Sequence, residues 1–496
     1  MRHLPSLLAI SLGALGGCGG VDRGHPSEGD ATAAGVGGSG AAPGSEGGFG
    51  GELASCEHVW SRGFGAGSMT SALAVAPDGT AFAGGMHLDE IDFGGGPRPD
   101  GGNDDHKAWA ASFGPDGAHQ WSASYGHGGD QDVTGVALAG EDVVFAGYGN
   151  GALDIIGDIS PPGGESSYAS WYAEFTDGEP SSSVVAGGAD SESRVIYGDI
   201  AAMPDGDLVV VGAYRGDVDV GAGPITSAGE FDAFVVHLGR SGSGSWWTVP
   251  FGDASGEEAT AVAVDGQGRI VVVGGFGGTI DLGGEPITAD PRSGWGDGFV
   301  IQLDGDGTHR WSRRFEALEE QRTADVAVNA AGDIVVAGWY RGVIDLGGGI
   351  QLTSAGARDG FVVRLDAMGN TVWAKSIGGP GEQDVLVGVD WAPNGDVLLA
   401  GRCDDGCIVD GHPVPPAGGG LDALVMRLDG AGTPRGACTF GDSDFQGAHV
   451  VAVGADGDVW LGGMYTGAID FGGGPFEAEL GGFVTRLRVG GETDGR

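Results

Sequence analysis

The residues best suited to chemistry are acidic and lie in short loops: Asp130, Asp132, Asp190, Asp253, Glu257, Glu382, Asp384, Asp442 and Asp444. Each precedes or opens an apolar run, as in Asp130-Gln131-Asp132-Val133 and Glu382-Gln383-Asp384-Val385. Carboxylates gathered on one face supply hard oxygen ligands for Ca2+ or attract a cationic partner. Dispersed, they form a solvated surface that maintains solubility. A second acidic series recurs at Asp92, Asp154, Asp219, Asp281, Asp345, Asp410 and Asp470, in segments such as Ile91-Asp92-Phe93-Gly94. These could be a ring of ligands, or Asx-type turns in which the carboxylate accepts backbone N–H groups. An aspartate in every copy, degenerate copies included, favours the turn.

Other chemistry fails at the level of spacing. Asp304-Gly305-Asp306-Gly307 begins like a calcium loop, but its twelfth position is Phe315 rather than a bidentate Glu. The histidines form no His-Glu-x-x-His arrangement, and no serine stands in a Gly-x-Ser-x-Gly elbow. No catalytic residue and no cofactor are therefore expected, Ca2+ being the one ion the acidic loops would admit. The alternative is a hydrolase or lyase with its site at a channel mouth.

Of the 5 cysteines, Cys18 stands apart. It follows a short positive start (Met1-Arg2-His3), an apolar run from Leu4 to Leu15, and Gly16-Gly17. The run is shorter than the roughly 20 residues of a membrane-spanning helix. This order resembles the bacterial lipobox, which implies a signal peptide over 1–17 and diacylglycerol on Cys18. Gly19, rather than Asp, follows the cysteine; by resemblance to Gram-negative lipoproteins this implies an outer-membrane anchor, facing the periplasm or the exterior. Residues 18–55 are rich in Gly, Ser and Ala, a flexible tether with a reach of about 30–35 Å. The other cysteines, Cys56, Cys403, Cys407 and Cys438, permit two disulfides in an exported chain. Cys403 and Cys407 are close enough for a local bridge; the pairing of Cys56 and Cys438 stays open.

Acidic residues outnumber basic ones 69 to 24, for a net charge of −45, which excludes nucleic acid as a partner. Hydrophobic residues make up 41%, enough for a core, while 106 glycines follow no collagen-like period.

The elements that must position these loops come from a repeat of about 60–65 residues. Equivalent starts fall at Trp60, Trp121, Ser182, Trp247, Trp311, Trp373 and Gly436. Each copy offers four strand signals: a short apolar run (Ala261-Val262-Ala263-Val264), a stronger one after a tight turn (Ile270-Val271-Val272-Val273), a third (Phe299-Val300-Ile301) and the tryptophan strand. Runs such as Val-Val-Val are apolar on both faces and need cover on both sides. No amphipathic helix is available, so neighbouring copies must supply it. That predicts an all-β, seven-bladed β-propeller of four-stranded antiparallel blades over residues 56–489, with a disordered tail at 490–496. His58-Val59-Trp60-Ser61-Arg62 is a fourth strand lacking its first three, and Phe483-Val484-Thr485-Arg486-Leu487 a third strand lacking its fourth. The N-terminal strand is therefore expected to complete the last blade and close the ring. Loops joining fourth to first strands and second to third strands then share one face, bringing both acidic series near the channel.

The pattern DGFVVRLDAMGNTVWAKSIGGPGEQD, with VAPDG and VVVAGW elements, resembles the bacterial β-propeller repeat (SBBP-type) family of exported proteins. The resemblance implies the fold and leaves the ligand open. The expected function is a membrane-anchored, non-catalytic scaffold, monomeric, binding a protein, glycan or cation.

Overall fold

The computed structural model describes residues 53–490, apart from 66, 100–104, 127, 156–167, 189, 191, 241–245, 291–295, 382 and 405. Cys18 and Glu382 lie outside the described residues. Seven four-stranded antiparallel sheets follow one another along the chain. Blade 5 shows the pattern: Gln321–Val328, Ile334–Tyr340, Asp359–Leu365 and Thr371–Gly378, paired in chain order. Val335, Val336, Val362 and Val363 are all fully buried. Both faces of the blade are therefore covered by neighbouring blades, each such side chain contributing about 1.5–3 kcal/mol of burial.

The first strand of every blade packs against the first strand of the next, and that of blade 7 returns to that of blade 1. These inner strands form the closed ring. Each contains a β-bulge at the same place, with Ser71, Thr134, Gly198, Thr260, Ala324, Val387 or His449 as the extra residue. Two residues before each bulge a first-strand carbonyl closely approaches the second strand, and glycine stands there in all seven blades: Gly85, Gly147, Gly212, Gly274, Gly338, Gly401 and Gly463. A Cβ at any of them would lie 2.0 or 2.1 Å from that carbonyl oxygen. The recurring glycine is thus a requirement of close approach.

Side chains on the inner strands then tie blade to blade. Ser71 Oγ donates to Val133 O at 2.6 Å, Thr134 Oγ1 to Tyr197 O at 3.1 Å and Thr260 Oγ1 to Thr323 O at 3.0 Å. Elsewhere aspartate serves. Asp199, Asp325 and Asp390 each accept the next residue's N–H through Oδ1, and through Oδ2 they accept Val262, Val389 and Val453 N–H of the following blade at 3.1, 2.8 and 2.8 Å.

The seventh junction is closed by the chain's own ends. Cys56–Phe64 is the outer strand of blade 7, paired with Phe476–Val489. Gly482 N–H donates to Ser68 Oγ at 2.9 Å, and the Cys56–Cys438 disulfide joins this strand to the outer strand of blade 6 across a sequence separation of 382. The acidic motif has a related purpose. The residue before each of its aspartates (Ile91, Leu153, Val218, Ile280, Ile344, Val409 and Ile469) is buried. Small hairpins such as Val343–Asp345 with Gln351–Thr353 pair with the previous blade's outer strand and cover part of its edge. Asp92, Asp219, Asp281, Asp345 and Asp470 each accept the N–H two residues on, as Asx turns do. Asp154 instead accepts Gly126 N–H, and Asp410 pairs with Lys375.

Candidate binding face

The start of each inner strand is in register with the end of the second, as in Gln321↔Tyr340 and Glu257↔Phe276. The loops entering first strands and those leaving second strands therefore lie on one face. The acidic residues predicted there are mostly absorbed by the fold. Asp253 accepts Ser255 N–H at 2.8 Å and Thr279 N–H at 2.7 Å, and Asp442 accepts Asp444 and Ala468 N–H, so each staples one loop to the other. Burial would raise both carboxyls, but these N–H groups outweigh it and hold them below the usual range. Asp190 is held low by Ser193 and Glu192 in an exposed turn. Asp130 accepts His106 N–H at 3.1 Å, and Asp444 is exposed.

Asp132, Glu257 and Asp384 are buried rather than displayed. Glu257 occupies the inner-strand position held by Gln131, Gln321 and Gln446, and burial, aided by Asp253 and Asp232, pushes it up to about 7. It therefore approaches the neutral form of its amide counterparts. Asp384 accepts Gly379 and Asp404 N–H, and burial raises it to about 6. Asp132, beside Ser71, is raised to about 7 by burial. Among the described residues, the one close group of metal-ligand atoms is Asp384 with Cys403 and Cys407. Those sulfurs are bonded to each other, which leaves no thiolate to bind.

One step further along the strands, the repeat breaks down. In the second strands, the residue after the recurring glycine is Met86, Tyr148, Ala213, Gly275, Trp339, Arg402 or Met464. Opposite them, the inner strands carry Met69, Asp132, Ile196, Glu258, Arg322, Val385 and Gly447. The fold accepts almost anything here, so what stands here is free to serve binding.

In blades 4 to 7 this tier and its neighbours form a cationic–aromatic cluster. Arg322 pairs with Glu258 at 3.3 Å. Arg358 lies 4.5 Å over the Trp339 ring and donates to Glu320 through Nε at 3.0 Å. Arg402 lies 5.4 Å over the Phe445 ring and is only 4% exposed. Among the described residues its Nε has no hydrogen-bond partner, and its Nη2 reaches only Gln383 Oε1, at 3.5 Å. Burial first, and Arg358 second, bring its guanidinium down to about 10, against the opposing pull of Asp384. His449, at the bulge of blade 7, is lowered to about 4 by burial and by Arg402, and stays neutral. Arg240, Arg269, Arg364, Arg427 and Arg486, by contrast, are all ion-paired. The sequence reading did not single out this cluster. The available signal was the unmatched arginine in Leu399-Ala400-Gly401-Arg402 when the Gly-containing second strands are superimposed.

On the opposite face, a groove of about 670 Å3 between blades 6 and 7 is lined by Asp396, Arg427, Asp429, Arg435, Asp458 and Arg488. Its arginines are paired: Arg427–Asp396 at 2.7 Å, Arg435–Asp429 at 2.5 Å and Arg488–Asp458 at 3.1 Å. The Arg427–Asp396 tie has counterparts in Arg364–Asp333 and Arg486–Asp458. This groove repeats a structural element of the blades.

No protein-family model matches the sequence, and neither does any curated protein. Solved structures do. Sqt1 from Chaetomium thermophilum is 13% identical with a TM-score of 0.42, over 87% of this chain and 99% of that one. The Neurospora crassa Pan2 WD40 domain is 11% identical with a TM-score of 0.41, over 84% and 89%. YCF48 bound to D1 peptide is 10% identical with a TM-score of 0.42, over 90% and 99%. No property of those proteins transfers to this chain at such distances. The chain is a seven-bladed β-propeller.

Proposed function

We propose that this propeller is a non-catalytic interaction scaffold of the SBBP type, anchored to the outer membrane through lipid on Cys18, monomeric, and engaging a protein partner through the face where its inner strands begin. The observation that carries the reading is the loss of repeat symmetry at the tier containing Trp339 and Arg402, beside a glycine tier that never varies. A fold requirement would repeat, and a contact with an asymmetric partner would not. The buried carboxyls argue for structure rather than acid–base catalysis, because Asp199, Asp325 and Asp390 are each engaged by two backbone N–H groups. The test places a photocrosslinking amino acid at position 339, and as a control at Met368, which is 71% exposed in the turn between third and fourth strands. A discrete adduct in cells from 339 and none from 368 is expected. Equal adducts, or none from 339, would overturn the choice of face. Labelled palmitate incorporated by the parent chain and lost in Cys18→Ser tests the anchor.

A further inference from the structure

Resting on the scaffold reading, we propose that the cluster around Arg402 is a receptor for a single carboxylate carried by a peptide segment of the partner.

The fold does not ask for arginine at this position. The same place in blades 1 and 7 holds Met86 and Met464, and in blade 3 Ala213. A buried guanidinium without an ion pair is costly, so its presence needs a compensating ligand. Among the described residues nothing supplies one: Nε is unpartnered, and the contact to Gln383 is at the limit of a hydrogen bond.

The shape of the missing partner follows from what surrounds it. A guanidinium edge with free N–H groups matches the two oxygens of a carboxylate. Arg358 adds positive potential close enough to depress Arg402 itself. Trp339 and Phe445 each have one face covered by a guanidinium, at 4.5 and 5.4 Å. Those faces are closed to stacking by a sugar ring, which favours a peptide over a glycan. A body of net charge −45 repels every anion, and a monoanion is repelled less than a phosphate dianion. The site therefore selects a single carboxylate presented on a short segment that can reach past the acidic rim.

The test is calorimetric titration of the folded protein with three probes at millimolar concentration. The first is acetylated, amidated Ala-Ala-Glu-Ala-Ala, the second its Gln counterpart, and the third an alanine peptide with a free C-terminal carboxylate. Binding of a carboxylate probe at least about tenfold tighter than the Gln probe is expected. Arg402→Met should abolish that difference while melting at the same or a higher temperature, since Met already occupies the position in two blades. The Glu and C-terminal probes distinguish a side-chain from a terminal carboxylate. Equal binding of the Gln probe, or full binding by Arg402→Met, would overturn the receptor. So would the failure of every carboxylate probe; if the crosslink from position 339 persisted, the scaffold reading would survive that failure. A lower melting temperature with unchanged binding would make Arg402 a structural residue.

Discussion

At the scale of single residues, the inner ring is decided by close contacts and by buried carboxyls. Gly338 is the sharpest case. A methyl group there would sit 2.1 Å from the Arg322 carbonyl, and 2.7 Å from the Phe361 ring, so the first and second strands could not keep their spacing. Gly338→Ala is expected to destabilise the protein by about 3 kcal/mol or more, read as a fall in melting temperature or as loss of soluble protein. Gly395→Ala, in an open turn with nothing near its Cβ, strains only a positive φ and should cost less. The carboxyls make a prediction about pH. Burial raises Asp199 and Asp390 to about 6 and Asp132 and Glu257 to about 7; for Asp325, burial and then the neighbouring Asp199 and Asp390 give about 8. Unfolded carboxyls titrate near about 4. Between about pH 4 and about pH 8 the folded state therefore holds protons that the unfolded chain has released, and stability falls as pH rises through that window. Melting temperatures should decline from about pH 5 to about pH 8, with a shallower slope in Asp325→Asn. A flat or rising profile would contradict the ring chemistry. Below about pH 4, protonation of carboxyls held low, such as Asp253 and Asp442, reverses the trend.

At the scale of elements, the weak point of a closed ring is the junction where the chain begins and ends. Six junctions carry a side-chain tie between inner strands. The seventh, from blade 7 to blade 1, relies on Cys56–Phe64 completing the last blade, a strand that Cys56–Cys438 pins to blade 6. A crosslink spanning 382 residues removes far more freedom from the unfolded chain than Cys403–Cys407, which spans 4. In the chain-entropy account the difference is about 4 kcal/mol. Replacing Cys56 and Cys438 together by Ser should thus lower the melting temperature by several degrees more than replacing Cys403 and Cys407. Equal effects would mean that the edge pairing and the Ala54 bridge to Gly436 already hold the junction shut.

At the scale of the whole molecule, charge dominates. A net charge of −45 opposes compaction, and salt screens it, with a Debye length of about 8 Å at physiological ionic strength. Raising NaCl from about 10 mM to about 150 mM should raise the melting temperature and speed association of an acidic probe, opposite to the usual effect of salt on binding by arginine. Calcium offers a second check at this scale. The acidic loops spend their carboxylate oxygens on backbone N–H groups, so Ca2+ at matched ionic strength should add no further stabilisation. A saturable upward shift would restore the ion-binding reading.

The sequence alone determined the architecture, because what sets it is periodic. Apolar runs of strand length, turn residues at regular intervals and a stray strand at each end leave one way to cover every face, and local patterns of that kind survive without knowledge of distant contacts. The Ile-Asp motif was legible for the same reason, the turn reading holding at Asp92, Asp219, Asp281, Asp345 and Asp470, though not at Asp154 or Asp410. What each acidic residue does was not legible. Whether a carboxylate is displayed, as at Asp444, or buried against backbone, as at Asp384, depends on the loop of another strand many residues away. The arginine cluster needed the tertiary structure most. Arg322 stands opposite Trp339, Arg358 covers the Trp339 ring and Arg358 acts on Arg402, so residues tens of positions apart are linked only when blades 5 and 6 meet at one face. Only there does it emerge that Arg402 has no ion pair among the described residues.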